Sequence, residues 1–203
     1  MHGRAFYDYP ESWNITNGIP MNRHYTQIHM PWFERLGIDK PHGARRILCV
    51  GAGIGQFVPQ WVAWGWQVTC LELDQWAATF LENAYPPVTV VCDDFMRWEP
   101  AATVDAIVST HKLEHFREAD RAFERMVSML APGGKLYIEV PDQSDLYIPG
   151  HLWHFTGQTL RRWANALGLE EVQVDVRYPR SRSSRSGFTG STFSPGLPVR
   201  SRK

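Results

Sequence analysis

The residues with the most chemical content are Val50-Gly51-Ala52-Gly53-Ile54-Gly55. Glycine at alternate positions lets the backbone turn tightly and lets a ligand approach where a Cβ would intrude. The loop sits between an apolar run and an amphipathic stretch, so it joins a strand to a helix at the edge where open α/β sheets bind ligands. Twenty-one residues beyond Gly51, in Leu71-Glu72-Leu73-Asp74, stands Glu72, at the distance from which an acid reaches ribose hydroxyls. Loop and acid together imply a nucleotide-like cofactor. The dinucleotide fingerprint G-x-G-x-x-G is not met, because the sixth position is Gln56, and pyrophosphate binding is thereby disfavoured.

A second group is His111-Lys112-Leu113-Glu114-His115. An imidazole has a near-neutral pKa, so His111 or His115 can take a proton from a hydroxyl or amine acceptor. The five residues also read H-x-x-E-H, in which two histidines on a helix bind zinc and the glutamate activates water. Because His111 follows a buried strand by two residues, hydrolysis through His111, Glu114 and His115 is kept as an alternative and no residue is assigned to a metal. His151, Trp153 and His154 fall on the loop after the fifth strand, where a parallel sheet receives its substrate.

The elements that position these groups follow from periodicity. Apolar runs at Ile47–Val50, Val68–Leu73, Val88–Cys92, Val104–Ser109 and Lys135–Val140 alternate with helical stretches at Gln56–Trp64, Gln75–Asn83 and Ala119–Leu130, which implies right-handed crossovers and a mostly parallel sheet covered on both faces. A helix over Asn22–Leu36 precedes them. A last helix is predicted by Thr156 as its cap, Phe155 and Leu160 as a hydrophobic staple and Gly168 as its end. The alternating Val172, Val174, Val176 and Tyr178 make a sixth strand, and no seventh is readable in Pro179 to Lys203.

The chain has 203 residues, 43% hydrophobic and 21% charged, with nine Trp. That fits one globular domain and excludes disordered, collagen-like and disulfide-scaffold classes. No apolar run is long enough to span a membrane and the first residues lack a secretory h-region, so a cytoplasmic location is expected. Cys49, Cys70 and Cys92 are odd in number and lie in apolar runs, as reduced core thiols do. All twenty-one acidic residues lie before residue 176, against fourteen basic ones, so the body carries a formal charge of −7. The seven basic residues of the tail give a surface for anions or nucleic acid, although a solvated, disordered tail is the plainer reading.

The glycine loop in its G-x-G-x-G form resembles the first motif of the class I S-adenosylmethionine-dependent methyltransferases. The likeness extends over Val104–Val108, Leu113-Glu114-His115 and Leu130-Ala131-Pro132-Gly133-Gly134-Lys135. Pro141-Asp142 and His151-Leu152-Trp153-His154-Phe155-Thr156 are similar to a branch related to quinone-biosynthesis O-methyltransferases. What the resemblance implies is a Rossmann-like doubly wound sheet and S-adenosyl-L-methionine as cofactor. Gly51, Ala52, Gly53 and Gly55 would lie beside its methionine, Glu72 and Leu73 at its ribose, Asp93, Asp94 and Phe95 at its adenine, and Thr110 at the methionine end. It also implies a small-molecule acceptor, with His111 and His115 nearest the transferred methyl and His151, Trp153 and His154 in the acceptor pocket. Some quinone-pathway relatives are similar in carrying E-x-x-E-H at 111–115 and using a divalent ion, but His111 replaces the first acid here. The division expected is an aromatic lid segment at 1–44, with Tyr7, Tyr25 or Trp32 facing the sulfonium, a methyltransferase domain at 45–178 and the tail at 179–203. The rivals are a non-catalytic binding module of the same fold, and a nicotinamide-dependent reductase, which lacks a Tyr-x-x-x-Lys pair. A base-modifying DNA methyltransferase is disfavoured by Ser109-Thr110-His111-Lys112.

Overall fold

The computed structural model describes residues 15–16, 19–20, 23–41, 43, 45–141, 150–170, 172–176 and 190–195. In chain order the elements are α1 (Arg23–Arg35), β1 (Arg46–Val50), α2 (Val58–Ala63), β2 (Gln67–Glu72), α3 (Gln75–Ala84), β3 (Thr89–Cys92), β4 (Val104–Thr110), a 3-10 turn at Leu113–His115, α4 (Ala119–Ser128), β5 (Leu130–Pro141), α5 (Gly157–Ala166), β6 (Val172–Val176) and β7 (Gly190–Pro195). Ahead of them Ile15–Thr16 pairs antiparallel with Ile19–Pro20. The main sheet has the order β3-β2-β1-β4-β5-β7-β6. Its first five strands are parallel, and β7 runs antiparallel to both neighbours.

Alternation in the central strands creates two cores. Leu48, Val50, Ile107, Leu136 and Ile138 pack with α4 and α5 on one face. Ile47, Cys49, Ala106, Val108 and Tyr137 pack with α1 and α2 on the other. Successive side chains of a strand point to opposite faces, so a strand apolar at every position must be covered twice.

The helix ends follow from local chemistry. Asp74 caps α3 by accepting from Trp76 N–H at 3.0 Å and Ala77 N–H at 3.1 Å. Thr156 caps α5 by accepting from Thr159 N–H at 3.1 Å, with Phe155 and Leu160 buried beside it as the staple requires. At the other end of α5, Gly168 adopts φ +74° and Leu169 N–H bonds Ala164 C=O at 3.0 Å, the six-to-one closure of a Schellman motif. In α1 the stripe Trp32, Phe33 and Leu36 is buried. Each such side chain contributes about 1.5–3 kcal/mol of burial.

Two expectations are corrected. A seventh strand is present: Gly190–Pro195 lies between β5 and β6, Phe193 standing opposite both Ile138 and Val174. Gly-Ser-Thr-Phe-Ser-Pro has one large apolar residue, so it carries no period-two signal. A strand paired along both edges needs little propensity of its own. Residues 190–195 therefore belong to the sheet, while the rest of the expected tail lies outside the described residues. Cys92 is not in the core: it is exposed, whereas Cys49 and Cys70 are buried. Burial pushes the Cys70 thiol up to about 12, with the Glu72 charge adding to the effect. Among the described residues no helix is long and apolar enough to cross a membrane.

Because β7 pairs along both edges, a variant ending at residue 189 is expected to leave β5 and β6 with open edges. Urea unfolding should show a lower midpoint than the full chain and size-exclusion chromatography should show association. An unchanged midpoint and elution volume would show that the strand contributes nothing.

Candidate active site

The carboxyl ends of β1 to β5 deliver the chemically interesting side chains to one edge of the sheet. After β1, Gly51, Gly53 and Gly55 take φ of +70°, +55° and +78°, which side chains other than hydrogen rarely tolerate. Gly51 N–H donates to Leu71 C=O at 2.8 Å and fastens the loop to β2. Gly53 N–H donates to one Glu72 oxygen at 2.7 Å and Asp74 N–H to the other at 3.0 Å. Gly55 serves packing, since a Cβ there would lie 2.6 Å from Leu81 and 2.7 Å from Tyr85. At Gly51 a Cβ would lie 2.3 Å from Lys112 Cγ, so the lysine stem crosses the first glycine.

Glu72 is 5% exposed. Two amides occupy about half of a carboxylate's four acceptor positions, and the others can take hydroxyls. Beside it Leu73 is 56% exposed. Ala52, Asp94 and Thr110 are half-buried and Asp93 is exposed, its Oδ1 accepting from Asp94 N–H at 2.7 Å. Phe95 departs from expectation: it is buried, its ring 5.6 Å from that of Phe116, with Arg125 5.7 Å from its centre. Its side chain belongs to the core.

A cluster of histidines and glutamates surrounds the end of β4. His111 is the one described non-glycine residue with positive φ, +52°, and its N–H donates to Glu139 C=O at 2.9 Å. Only Leu113–His115 makes a helical turn, so the helix that would carry both histidines of an inverted zinc motif is not formed. The His111 ring spans two carboxylates, Nε2 lying 3.5 Å from Glu139 and Nδ1 3.7 Å from Glu114. On its far side Glu139 bonds His29 Nε2 of α1, a residue with no exposed surface.

The two acids are set apart by their partners. Burial works against charge on Glu139, but its hydrogen bonds to His111 and His29 outweigh that and hold it well below the usual carboxylate range. Glu114 is 1% exposed and no hydrogen-bond donor reaches either oxygen. Burial pushes it up to about 7, against the opposing pull of His111. For His111, burial disfavours the charged ring, yet the Glu139 bond and the charges of Glu139 and Glu114 raise its pKa above the ordinary value.

His115 Nδ1–H donates to Gly150 C=O at 2.9 Å. Its Nε2 and that of His151 each lie 3.9 Å from Glu114 Oε1. Against an expectation that assigned no residue to a metal, the ligand atoms of Glu114, His115 and His151 lie within 4.8 Å of one another. Of the other expected pocket residues, Trp153 is 39% exposed with its indole N–H on Phe116 C=O at 2.8 Å, and His154 is exposed. In the expected lid, Trp32 is 7% exposed and part of the core rather than facing a ligand. Tyr7 and the Tyr25 side chain lie outside the described residues.

Glu139 and His29 were missed from sequence. The signal was present: Glu139 is the one charge in Leu136-Tyr137-Ile138-Glu139-Val140, and His29 stands one turn before Phe33 on the apolar stripe of α1.

The strand order, with a glycine loop and a buried acid at its carboxyl edge, defines the Rossmann-like fold of class I methyltransferases. A family model described as a methyltransferase domain matches residues 21–174, and the chain belongs to that family, whose cofactor is S-adenosylmethionine. Trans-aconitate 2-methyltransferase of Rhizobium meliloti (strain 1021) is 26% identical over 132 residues, 55% of this chain and 51% of its own. The chain thus spans about half the length of that curated relative. Among solved structures, the N-methyltransferase NodS of Bradyrhizobium japonicum WM9 superposes with a TM-score of 0.68 at 18% identity, over 88% of this chain and 98% of that one. Haemonchus contortus phosphoethanolamine N-methyltransferase 2, in complex with phosphomonomethylethanolamine and S-adenosylhomocysteine, gives 0.63 at 20% identity, over 74% and 38%. The residues present fit this cofactor: the glycine loop brings backbone close, Glu72 keeps acceptor positions, and Leu73 and Asp93 are exposed beside it.

Replacing His29 by Ala removes a donor from a buried carboxylate and leaves a cavity between α1 and the sheet. A loss of about 2–4 kcal/mol is expected in urea unfolding; a change below about 0.5 kcal/mol would mean that α1 does not depend on this contact.

Proposed function

We propose that this chain transfers a methyl group from S-adenosylmethionine to an oxygen or nitrogen of a small molecule. The observation that carries the reading is the buried Glu72 carboxylate clasping the glycine loop after β1, with His111 after β4 set between Glu139 and Glu114. When bound, the cofactor supplies an electrophilic methyl on a sulfonium sulfur.

In this reading Glu72 accepts from the ribose hydroxyls with Leu73 beside it, and Asp93 accepts from the exocyclic amine of the adenine. Ala52, Gly53 and Thr110 border the methionine end, and Asp94 supports the loop through its bond to Met96 N–H at 2.9 Å. His111 takes the acceptor's proton while Glu139 holds the imidazole and favours its charged form. His29 acts on Glu139 and so is a positioning residue. His115 is the alternative base, though its Nδ1–H is committed to Gly150. Most of the acceleration comes from aligning acceptor and methyl in a water-poor cleft, and a positioned base contributes about 10²–10⁴-fold.

A kinship with quinone-pathway O-methyltransferases is part of the proposal; it rests on the likeness of residues 141–142 and 151–156 alone and does not narrow the acceptor. A cytoplasmic location, a lid at 1–44 and contact of the basic residues after 176 with anions are further parts of the proposal; binding of nucleic acid there would weaken steeply with salt. A second reading, a binding module without turnover, is favoured by one feature: the Lys112 stem occupies the space above Gly51.

Calorimetric titration of S-adenosylhomocysteine, with NADH in parallel, tests the cofactor. Micromolar binding is expected in the wild type, lost in Glu72→Ala and about fivefold weaker in Asp93→Ala, which removes one hydrogen bond worth about 1 kcal/mol. Silence from folded wild type overturns the reading. In methylation of a panel of phenols and amines, His111→Ala should lower kcat by about 10²-fold or more while homocysteine-analogue binding is retained. Binding without turnover on any acceptor would establish the module instead.

A further inference from the structure

Glu114 presents a physical puzzle that methyl transfer does not solve. A carboxylate this buried normally takes several hydrogen bonds, because an unsatisfied polar group costs about 1–3 kcal/mol and a charged one more. None reaches Glu114. Instead its Oε1 faces three imidazoles: His111 Nδ1 at 3.7 Å, its ring also turned to Glu139, and His115 Nε2 and His151 Nε2, both at 3.9 Å. That is too long for a hydrogen bond. It is close to the separation of two ligands on one ion, about 3.4 Å for tetrahedral bonds of about 2.0–2.2 Å.

The two histidines are held for the purpose by backbone. His115 Nδ1–H bonds Gly150 C=O at 2.9 Å, which in the neutral ring puts the lone pair on Nε2, the atom facing Glu114. A metal-bound imidazole has its second nitrogen fixed in this manner. Leu152 N–H bonds Glu114 C=O at 2.8 Å, so the loop bearing His151 is tied to the turn bearing Glu114 and His115. The two rings lie 4.9 Å apart and nearly perpendicular, at 76°, bringing nitrogen edges together rather than stacking faces.

We propose that Glu114, His115 and His151 bind one divalent first-row transition ion of the zinc or cobalt type. Two imidazole nitrogens and one carboxylate oxygen suit such an ion, whereas magnesium and calcium require mostly oxygen donors. Three protein ligands leave a position open, as in catalytic rather than structural sites. The donor set differs from the H-x-x-E-H reading, because His151 from the loop after β5 takes the place of His111. Binding does not depend on methyl transfer. One consequence does rest on that reading: an acceptor oxygen at the open position would lie beside His111 with its proton made more acidic.

Cobalt(II) titrated into chelator-treated full-length chain, followed by visible absorption, reads the site directly. The expected result is one ion per chain with d–d bands that zinc abolishes. Affinity should fall by at least about 100-fold, the upper end of what loss of a supporting residue costs, in both His151→Ala and Glu114→Gln. S-adenosylhomocysteine affinity measured on the same samples reports folding and the cofactor cleft separately. Two results overturn the proposal: no binding to wild type at about 100 µM cobalt, or wild-type affinity in both variants, which would assign the ion to other histidines. If metal binds and the homologue of the cofactor does not, the metal site stands and the methyl-transfer reading falls; the reverse result does the opposite.

Discussion

The bond between His29 and Glu139 joins three parts of the molecule that are distant in sequence. Glu139 stands near the carboxyl end of β5, His29 on the helix that precedes the sheet, and His111 on the turn after β4. A carboxylate cannot be charged in such surroundings without donors, so the helix and the turn are each needed to satisfy the strand. Because the carboxylate stays ionised, it supports a positive charge on His111. The packing of α1, with Phe33 and Phe57 both near the His29 ring, therefore reaches the His111 ring through one buried anion.

Glu139 and Glu114 illustrate how one cluster keeps two acids in different states. Both are almost wholly removed from water and both lie within 4 Å of His111. Donors within bonding distance hold the pKa of Glu139 down, and burial drives that of Glu114 up. An arrangement with separated pKa values is found at sites of chemistry more often than in inert cores. Glu72 forms a third case, an acid used as a clasp: one oxygen holds the glycine loop through Gly53 N–H and the other the start of α3 through Asp74 N–H.

Much of this was legible in the sequence. The alternation of runs defined β1 to β6, and Thr156, Leu160 and Gly168 defined α5 through capping chemistry alone. The G-x-G-x-G loop and Glu72 were found because tight turns and buried acids leave local marks. What was missed depended on distance in the chain. The seventh strand has no pattern of its own and exists because two neighbours bracket it. The burial of Phe95 against Phe116 and Arg125 was not legible either, because a side chain's direction is set by packing that spacing does not reveal. The encounter of His151 with Glu114 needed the loop after β5 to fold back onto the turn after β4, a contact with no sequence period.

The bracketed strand also sets the order in which this protein can be made. Strands β1 to β5 emerge from the ribosome in succession and each can pair with one already present. The sixth cannot join them, since its place is one strand away from β5. Until residue 195 is outside the exit tunnel, the nascent chain holds a nearly finished sheet with a strand-wide slot in it, and the slot is flanked by two sets of unpaired amides and carbonyls. Gly190–Pro195 is thus a keystone laid between its two neighbours, and the interval before it arrives is when the chain most needs a chaperone.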